Sequence, residues 1–330
     1  MTAPAASELP SVTVIVPMLN EEAHIEACVR GLTAQTYEGS TEILVVDGGS
    51  TDASLEIIEG LARNGSPVRI VTNPRRRPAA AANIGVAEAR GEVLCFLSAH
   101  GEPRTTYIEA SVDLLLRSGA AGVGGTYEHV GVDRRSRSIG IAMSSRFGMA
   151  STHRTATRQQ EVDTISHPTF WRQAVLDAGG YDETLTSNED YELNHRVRTR
   201  VGPLVFSPQI RSVYRPRSSL RALGKQFHTY GIGKAEVARL HPGSLQPRHL
   251  VPPALVLGVL ASPLLGRSLL GRASLVGAAA GYVGIVATAT ALERPAARGG
   301  SPTTFALALP TMHFSWGSGV LRGLLRRRRG

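Results

Sequence analysis

Two acidic turns contain the side chains of this sequence that are best suited to chemistry. Asp47 and Asp52 flank a Gly-Gly-Ser-Thr turn after the apolar run 43–46, and Glu189 with Asp190 opens a later helical stretch. A carboxylate at the end of a buried strand faces the crevice in which open α/β sheets bind ligands. Carboxylates there can accept a proton or help to hold a divalent cation. We therefore expect the two turns to converge on one bound ligand.

Helix capping is the alternative account of both turns. Ser50, Thr51 and Asp52 are residue types that cap helices, and acids in a first helical turn suit the helix dipole. Capping explains one or two acids of the second turn. It hardly explains the whole group, which is Asp182, Glu183, Glu189, Asp190 and Glu192.

Short apolar runs alternate with helical runs through the first hundred residues. The predicted strands are 12–16, 43–46, 68–71 and 93–97, and the predicted helices are 21–34, 53–62 and 79–89. This alternation indicates an α/β fold with a mostly parallel, doubly wound sheet. The turn after the first strand lacks glycine, which excludes the dinucleotide fingerprint, and there is no Walker loop. The sheet is predicted to hold its ligand with side chains at strand ends: Asn20, Glu21, Asp47, Asp52 and Asn83.

Composition limits the classes of partner. The 330-residue chain has a net charge of +9, carried almost wholly by arginine, which suits phosphate, nucleic acid or an anionic membrane surface. Aromatic residues make up 5% and are not interleaved with basic ones, which disfavours a nucleic-acid partner. Cys28 and Cys95 are predicted to be reduced core residues. Residues 1–10 lack the features of a signal peptide and are predicted to be a disordered lead-in.

Four motifs together resemble the family-2 glycosyltransferases of the GT-A fold. They are Val14–Glu21, Val45–Asp52, Asn83–Gly85 with Gly91–Glu92, and Gly179–Glu183 with Asn188–Asp190. Their order and spacing fit across residues 11–215. Finer features are similar to the branch of succinoglycan-type exopolysaccharide glucosyltransferases, namely Asn188–Arg198, Tyr214–Arg217, Gln226–Gly231 and His313–Gly319.

The resemblance implies a nucleotide-sugar donor site at the ends of the first strands. The uridine would contact Pro17, Glu21 and Asp47, and Asn20, Asp52 and Asn83 belong to the same motifs.

In this family a later strand ends in an Asp-x-Asp or Asp-x-His motif that binds ribose and a divalent metal, Mn²⁺ or Mg²⁺. Here the motif reads Ser98-Ala99-His100. His100 is predicted to be a metal ligand, and an imidazole suits Mn²⁺ better than Mg²⁺. Ser98 can hydrogen-bond ribose but brings no charge to the metal. The alternative is that His100 caps the turn before Pro103.

The resemblance also implies the acid–base residues. Asp190 matches the general base of an inverting transfer, which takes the proton from the attacking acceptor hydroxyl. Glu189 would orient the loop or the acceptor. His167 either faces the acceptor or is an ordinary loop histidine. The arginines Arg134, Arg135 and Arg137 are interpreted as a solvated loop in preference to an anion site.

The C-terminal third changes to membrane-like composition. Leu250–Gly266 and Ala273–Ala291 are apolar runs without acids, and the second is long enough to cross a bilayer, which needs about 20 residues. Phe305–Leu321 is predicted to be interfacial, and Ser218–Leu240 to be an amphipathic basic helix on the membrane. Arg326–Arg329 indicates a cytoplasmic end. The two apolar runs are predicted to form a helical hairpin in the membrane, and buried helices of a soluble domain are the alternative.

These expectations combine into one predicted organisation. Residues 1–10 form the lead-in, 11–215 the catalytic domain, 216–249 the interfacial region and 250–330 the membrane-associated helices with a basic tail. The protein is expected at the plasma membrane, with its catalytic domain on the cytoplasmic face.

The predicted function is an inverting glycosyltransferase of cell-surface or exopolysaccharide synthesis. It would move a sugar from a nucleotide-diphosphate donor, UDP-hexose, to a lipid-linked or polysaccharide acceptor. Because Ser98 replaces a carboxylate, the alternative is a catalytically weakened subunit that binds nucleotide sugars for assembly. A nucleotidyltransferase is more remote, since it would not need the acids at 188–190.

Overall fold

The computed structural model describes residues 9–148 and 156–326. These residues form two compact units: the described parts of 1–128 and 156–214 make up the first, and those of 129–155 and 215–330 the second. Most of the predicted lead-in and Arg327–Arg329 of the basic tail lie outside the described residues. The predicted catalytic domain, 11–215, remains a prediction, and the structure groups the described part of 129–155 with the second unit.

The first unit is built on one sheet of nine strands among the described residues. The strands are β1 (Val12–Met18), β2 (Thr41–Asp47), β3 (Val68–Thr72), β4 (Val93–Phe96), β5 (Glu102–Pro103), β6 (Gly122–His129), β7 (Gln160–Glu161), β8 (Thr169–Trp171) and β9 (Leu204–Tyr214). Their spatial order is β3-β2-β1-β4-β8-β6-β9-β5, with β7 beside β9. Strands β1 to β4 are parallel, whereas β8 pairs antiparallel with β4 and β6. The predicted α/β class, with a mostly parallel sheet, is confirmed.

Helices are numbered along the described chain. The first unit contains α1 (Ile25–Thr33), α2 (Ser54–Arg63), α3 (Pro78–Glu88), α4 (Tyr107–Ser118), α6 (Arg172–Asp177) and α7 (Glu189–Arg200). The second unit contains α5 (Arg134–Ser144), α8 (Leu220–Leu240), α9 (Val251–Leu265), α10 (Leu269–Glu293) and α11 (Pro302–Leu325).

The position of β1 within the sheet explains why three successive residues of this strand, 14–16, are apolar. Val14 and Val16 belong to one buried cluster, which includes residues of α1, while Ile15 belongs to a second cluster, which includes residues of α3. Successive strand side chains point to opposite faces, so both faces must be covered to bury all three. The carboxyl ends of β1, β2 and β4 therefore open at one edge of a rigid, doubly covered sheet.

Both cysteines lie in this core. Cys28 on α1 and Cys95 on β4 are buried and unpaired, as predicted. Burial raises the pKa of each thiol to about 12. Neither thiol is therefore ionised at neutral pH.

Two local predictions are wrong. Helix α1 begins at Ile25 and not at Glu21, because Asn20 adopts φ +55° and accepts a hydrogen bond from the Thr51 N–H at 2.8 Å. The span of Arg134–Arg137 is the start of helix α5 and not a loop. Asp133 caps that helix by accepting the Ser136 N–H at 2.6 Å. This cap defines where the helix begins, which the polar composition of the span did not indicate.

Helices α8 and α11 of the second unit pack through glycines. A Cβ on Gly319 would lie 2.1 Å from the His228 carbonyl oxygen, and one on Gly231 would lie 2.2 Å from that of Trp316. Only glycine permits so close an approach of two helix backbones. The apolar face of α8 is thus occupied by α11, and the membrane contact predicted for 218–240 remains a prediction.

Two described helices are long and apolar enough to cross a bilayer, over Pro247–Leu265 and Leu269–Glu293. Within the described chain, α9 buries only Pro253 and α10 only Ala289. Leu260 is 68% exposed and Leu270 is 79% exposed. This exposure contradicts the alternative of buried helices in a soluble domain and favours contact with lipid.

Candidate active site

A cavity of about 380 Å³ lies at the carboxyl ends of the central strands. Its wall includes these predicted site residues: Pro17, Glu21, Ser98, His100, Glu189 and Asp190. Gly48 of the first acidic turn lines the same cavity as Glu189 and Asp190 of the second. The two turns therefore meet at one cavity. A larger surface groove between Arg104 and Asp113 contains none of the predicted residues.

Asp47 shapes the first turn from behind the cavity wall. Its buried carboxylate accepts the Gly49 N–H at 2.9 Å and the Ser50 O–H at 2.6 Å. Gly49 has φ +80°, and a Cβ there would lie 3.0 Å from a guanidinium nitrogen of Arg76. These contacts present the Gly48 backbone to the cavity and bring Arg76 against the turn.

Asn20 and Asp52 fasten the ends of β1 and β2 to each other. Asp52 accepts the Ser54 O–H at 2.5 Å and the Glu22 N–H at 3.1 Å, and Glu22 in return accepts the Ala53 N–H at 3.0 Å. Hydrogen bonds from Ser54 lower the pKa of Asp52. Neither Asn20 nor Asp52 is among the residues that line the cavity. Their contact with a donor remains a prediction.

Asn83 holds the loop that precedes the second acidic turn. Its amide nitrogen donates to the Tyr181 carbonyl and to Glu183, both at 2.9 Å, and its amide oxygen accepts the Tyr181 N–H at 2.7 Å. Gly180 has φ +69°, and a Cβ there would lie 2.8 Å from that oxygen. Asn83 thus sets Tyr181, which lines the cavity, although Asn83 itself does not.

Ser98 and His100 stand at the end of β4, where a metal-binding motif was expected. The His100 Nδ1 lies 3.2 Å from a Glu21 carboxylate oxygen. The turn is closed by its own backbone, since the Gly101 N–H donates to the Ser98 carbonyl at 2.7 Å. A capping role for the His100 imidazole is therefore not needed, and the ring remains directed at Glu21.

The side chains at this place can hold a metal ion only if a bound ligand completes the coordination shell of the ion. Among the described residues, no group of three or more His, Cys, Asp or Glu side chains could hold a metal ion. His100 and Glu21 offer one nitrogen and one carboxylate. A divalent cation of this kind keeps about six ligands and commonly takes several from substrate phosphates and water. These residues therefore suit an ion shared with a diphosphate.

The second acidic turn places two carboxylates in different surroundings. Asp190 is exposed, whereas Glu189 is half-buried. Burial, followed by the neighbouring Asp190 charge, raises the pKa of Glu189 to about 7. Glu189 can therefore carry a proton near neutral pH, while Asp190 is the accessible carboxylate of the pair.

A buried ion pair anchors the helix that carries these acids. The Arg196 guanidinium donates to both Glu192 oxygens, at 2.6 and 2.5 Å, and to the Gly180 carbonyl at 2.6 Å. The same side chain also donates to the Ala178 carbonyl. In the structure it ties the start of α7 to the glycine turn before Tyr181.

His167 lies in the cavity wall. Its ring nitrogens lie 2.9 Å from the Ser212 hydroxyl and 3.4 Å from the Ser98 hydroxyl. Burial lowers the pKa of His167 to about 3, with the charge of His100 as a second cause. Sequence reasoning gave no role to these other side chains of the wall: Arg76, Arg77, Tyr127 and Tyr181. The run of three arginines after β3 is the sequence feature that could have indicated a role for Arg76 and Arg77.

Comparison with known proteins identifies the family. The profile described as "Glycosyl transferase family 2" matches residues 13–180, about half of the chain. The chain belongs to this family. The glycosyltransferase is 33% identical over 226 residues to the succinoglycan biosynthesis protein ExoA of Rhizobium meliloti (strain 1021), a match that covers 68% of each protein. The predicted resemblance and enzyme class are thereby confirmed, and the nucleotidyltransferase alternative is contradicted.

Two further similarities extend the comparison. The glycosyltransferase is 26% identical to the dolichyl N-acetyl-alpha-D-glucosaminyl phosphate 3-beta-D-2,3-diacetamido-2,3-dideoxy-beta-D-glucuronosyltransferase of Methanococcus voltae, over 69% of this chain and 74% of that protein. Its fold is similar to the mannosyltransferase PcManGT from Pyrobaculum calidifontis, solved in complex with GDP-Man and Mn²⁺. That match has a TM-score of 0.68 at 19% identity and covers 98% of this chain and 89% of the other. The predicted GT-A fold is confirmed.

Proposed function

We propose that this glycosyltransferase moves a hexose from a UDP-linked donor to a lipid-linked or polysaccharide acceptor, with inversion at the anomeric carbon. The observation that carries the proposal is the convergence of Gly48, Ser98 and Asp190 on one cavity. The similarity to a succinoglycan biosynthesis protein and to a transferase named for a dolichyl N-acetyl-alpha-D-glucosaminyl phosphate supports the acceptor class.

The donor side of the cavity is formed by the ends of β1, β2 and β4. Pro17, Glu21 and Gly48 lie there, and Arg76 and Arg77 bring positive charge to the same wall. A nucleoside diphosphate is a flat base joined through a ribose to two anionic phosphates, so it suits a cavity with a backbone edge and guanidinium groups.

A divalent metal, when bound, would supply positive charge that stabilises the departing nucleotide diphosphate. His100 and Glu21 are the side chains that would hold it, and the chemistry of an imidazole favours Mn²⁺ over Mg²⁺. The solved complex of PcManGT contains Mn²⁺, which supports a divalent metal in this fold.

On the acceptor side, Asp190 acts as the general base. It takes the proton of the attacking acceptor hydroxyl, and protonated Glu189 donates a hydrogen bond that orients the acceptor. A positioned general base contributes about 10²–10⁴-fold to the rate.

The test is Asp190→Asn, assayed for sugar transfer and, separately, for UDP affinity. We expect kcat to fall about 10²–10⁴-fold while UDP affinity changes little, because Asp190 acts only on the acceptor. Transfer at a near-normal rate would contradict the assignment of Asp190.

A second candidate function is a catalytically weakened subunit that binds nucleotide sugars. The serine at position 98, which supplies no carboxylate, favours it. Incubation with UDP-sugars and Mn²⁺ separates the two candidates. Slow donor hydrolysis supports the enzyme, and binding without turnover across the common donors supports the subunit.

We further propose that residues 11–215 are the catalytic domain, 216–249 an interfacial region and 250–330 a membrane anchor at the plasma membrane. The exposed apolar surfaces of α9 and α10 support membrane attachment. The catalytic domain is assigned to the cytoplasmic face because the C-terminal arginines favour that side. Detergent-free fractionation tests the attachment, and recovery in the soluble fraction would refute it.

A further inference from the structure

His167 is held in a backbone conformation that a histidine rarely adopts. Its φ is +45°, and it precedes Pro168, which restricts its backbone further. The Tyr107 hydroxyl donates to its carbonyl at 2.5 Å, and the Pro168 carbonyl accepts the Phe96 N–H at 2.9 Å. Such conformations persist where the surroundings fix them, and they concentrate at functional sites.

The imidazole is fixed as firmly as the backbone. The imidazole packs in a T-shaped arrangement against the Tyr127 ring, with a centroid distance of 4.8 Å and an interplanar angle of 86°. A Cβ on Gly101 would lie 3.3 Å from the His167 Cε1, so the turn after Ser98 wraps closely around the ring. The ring therefore has little freedom to turn away from Ser98.

Each ring nitrogen of His167 faces one serine hydroxyl. Nδ1 lies 2.9 Å from Ser212 Oγ on β9, and Nε2 lies 3.4 Å from Ser98 Oγ after β4. A neutral imidazole has one donor and one acceptor nitrogen. In the tautomer with the proton on Nδ1, the ring donates to Ser212 Oγ and Nε2 accepts the Ser98 O–H, so the ring fixes the direction of that hydroxyl.

The contact between His167 and residue 98 matters because residue 98 is a serine. A carboxylate accepts hydrogen bonds over a wide range of directions with either oxygen, whereas a hydroxyl has one proton that can rotate. A hydroxyl that recognises a ligand therefore needs a neighbouring group that fixes the direction of its O–H bond. A neutral ring can do this without bringing an uncompensated charge into the wall.

We infer that His167 is a positioning residue that takes the Ser98 O–H proton into a hydrogen bond and so presents the Ser98 oxygen, as an acceptor, to the nucleotide of the donor, an inference that rests on the proposed function. His167 itself need not touch the donor. It acts through Ser98, and Ser212 anchors it from the opposite side.

A double-mutant cycle on UDP affinity tests this role. His167→Asn is the informative variant, because asparagine tolerates positive φ and reaches the Ser212 side of the ring but not Ser98. We expect His167→Asn and Ser98→Ala each to weaken UDP binding by about 3- to 10-fold, as expected for one hydrogen bond. We expect the double variant to bind UDP no more weakly than Ser98→Ala alone.

The measurement is titration calorimetry of UDP with Mn²⁺ on the full chain in detergent. The donor KM should rise in His167→Asn, while kcat for donor hydrolysis changes less than about twofold. His167→Gln is the conservative variant, since its longer amide reaches the position of Nε2, and it should recover most of the affinity. A purely structural role for His167 would give no such difference between asparagine and glutamine.

A second cycle protects the test against misfolding of the His167 variants. Ser212→Ala should weaken UDP binding when Ser98 is present and have no effect in the Ser98→Ala background. If the effects of the paired substitutions multiply in either cycle, His167 does not act through Ser98 and the inference is refuted while the proposed function stands. If the unaltered protein does not bind UDP at all, both are refuted.

Discussion

Replacing Glu189 with glutamine removes a charge from the second acidic turn and keeps its shape. Burial and the neighbouring Asp190 raise the pKa of Glu189 from 4.5 to about 7. Between these two pH values the folded protein holds a proton that the unfolded chain releases. Folding stability therefore falls as pH rises through this window, and the contribution is fully lost above it.

The size of the effect follows from that difference. A pKa raised from 4.5 to about 7 corresponds to about 3 kcal/mol of unfolding free energy. Water at the cavity mouth screens the half-buried carboxylate, which reduces this to about 1–2 kcal/mol. Glutamine stays neutral at every pH, so Glu189→Gln should stabilise the protein by that amount at pH 8 and have almost no effect at pH 4.5.

Thermal unfolding of the full chain in detergent measures the difference. A gain of about 1–2 kcal/mol raises Tm by roughly 3–6 °C for a unit of this size. Glu38→Gln is the matched control, because Glu38 is exposed and the substitution is identical. An equal Tm gain at both pH values, or no gain at pH 8, would refute the claim that Glu189 is held protonated by its surroundings.

Three further outcomes follow from single contacts. Arg196→Met should cost about 3–5 kcal/mol in urea unfolding, because it leaves Glu192 buried without its partner, and a loss below about 1 kcal/mol would contradict this. Gly319→Val should cost about 1–3 kcal/mol or more, since a Cβ there meets the His228 carbonyl at 2.1 Å, and an unchanged Tm would contradict that packing. His100→Ala should raise the Mn²⁺ concentration for half-maximal donor hydrolysis about tenfold or more, whereas an unchanged Mn²⁺ dependence would remove His100 from the metal site.

The sequence was most informative where hydrophobic pattern decides the structure. Strand β1 is buried on both faces, and its apolar residues at 14–16 belong to a run that correctly predicted a strand of the mostly parallel sheet. Of the acids that follow such strands, Glu21 lines the cavity, whereas Asp47 shapes its turn from behind the wall. The hydrophobic pattern alone therefore indicates where a buried strand lies and which residues follow its end.

The use of each polar side chain was less predictable. Asn83 and Asp52 have the residue types of ligand contacts, yet their hydrogen-bonding groups hold neighbouring turns. Residue type is the same for a group that binds a ligand and for one that binds the backbone of a distant loop. That choice depends on contacts between residues far apart in sequence, such as Asn83 with Tyr181, which no local pattern records.

The burial of both cysteines has a practical consequence for membrane topology. Cys28 and Cys95 are enclosed in the sheet unit with pKa values of about 12, so thiol reagents find almost no background target in the folded chain. One cysteine introduced at Arg267, in the turn between α9 and α10, would then be the single reactive position. Labelling it from either face of sealed vesicles with an impermeant maleimide would report which side of the bilayer that turn occupies.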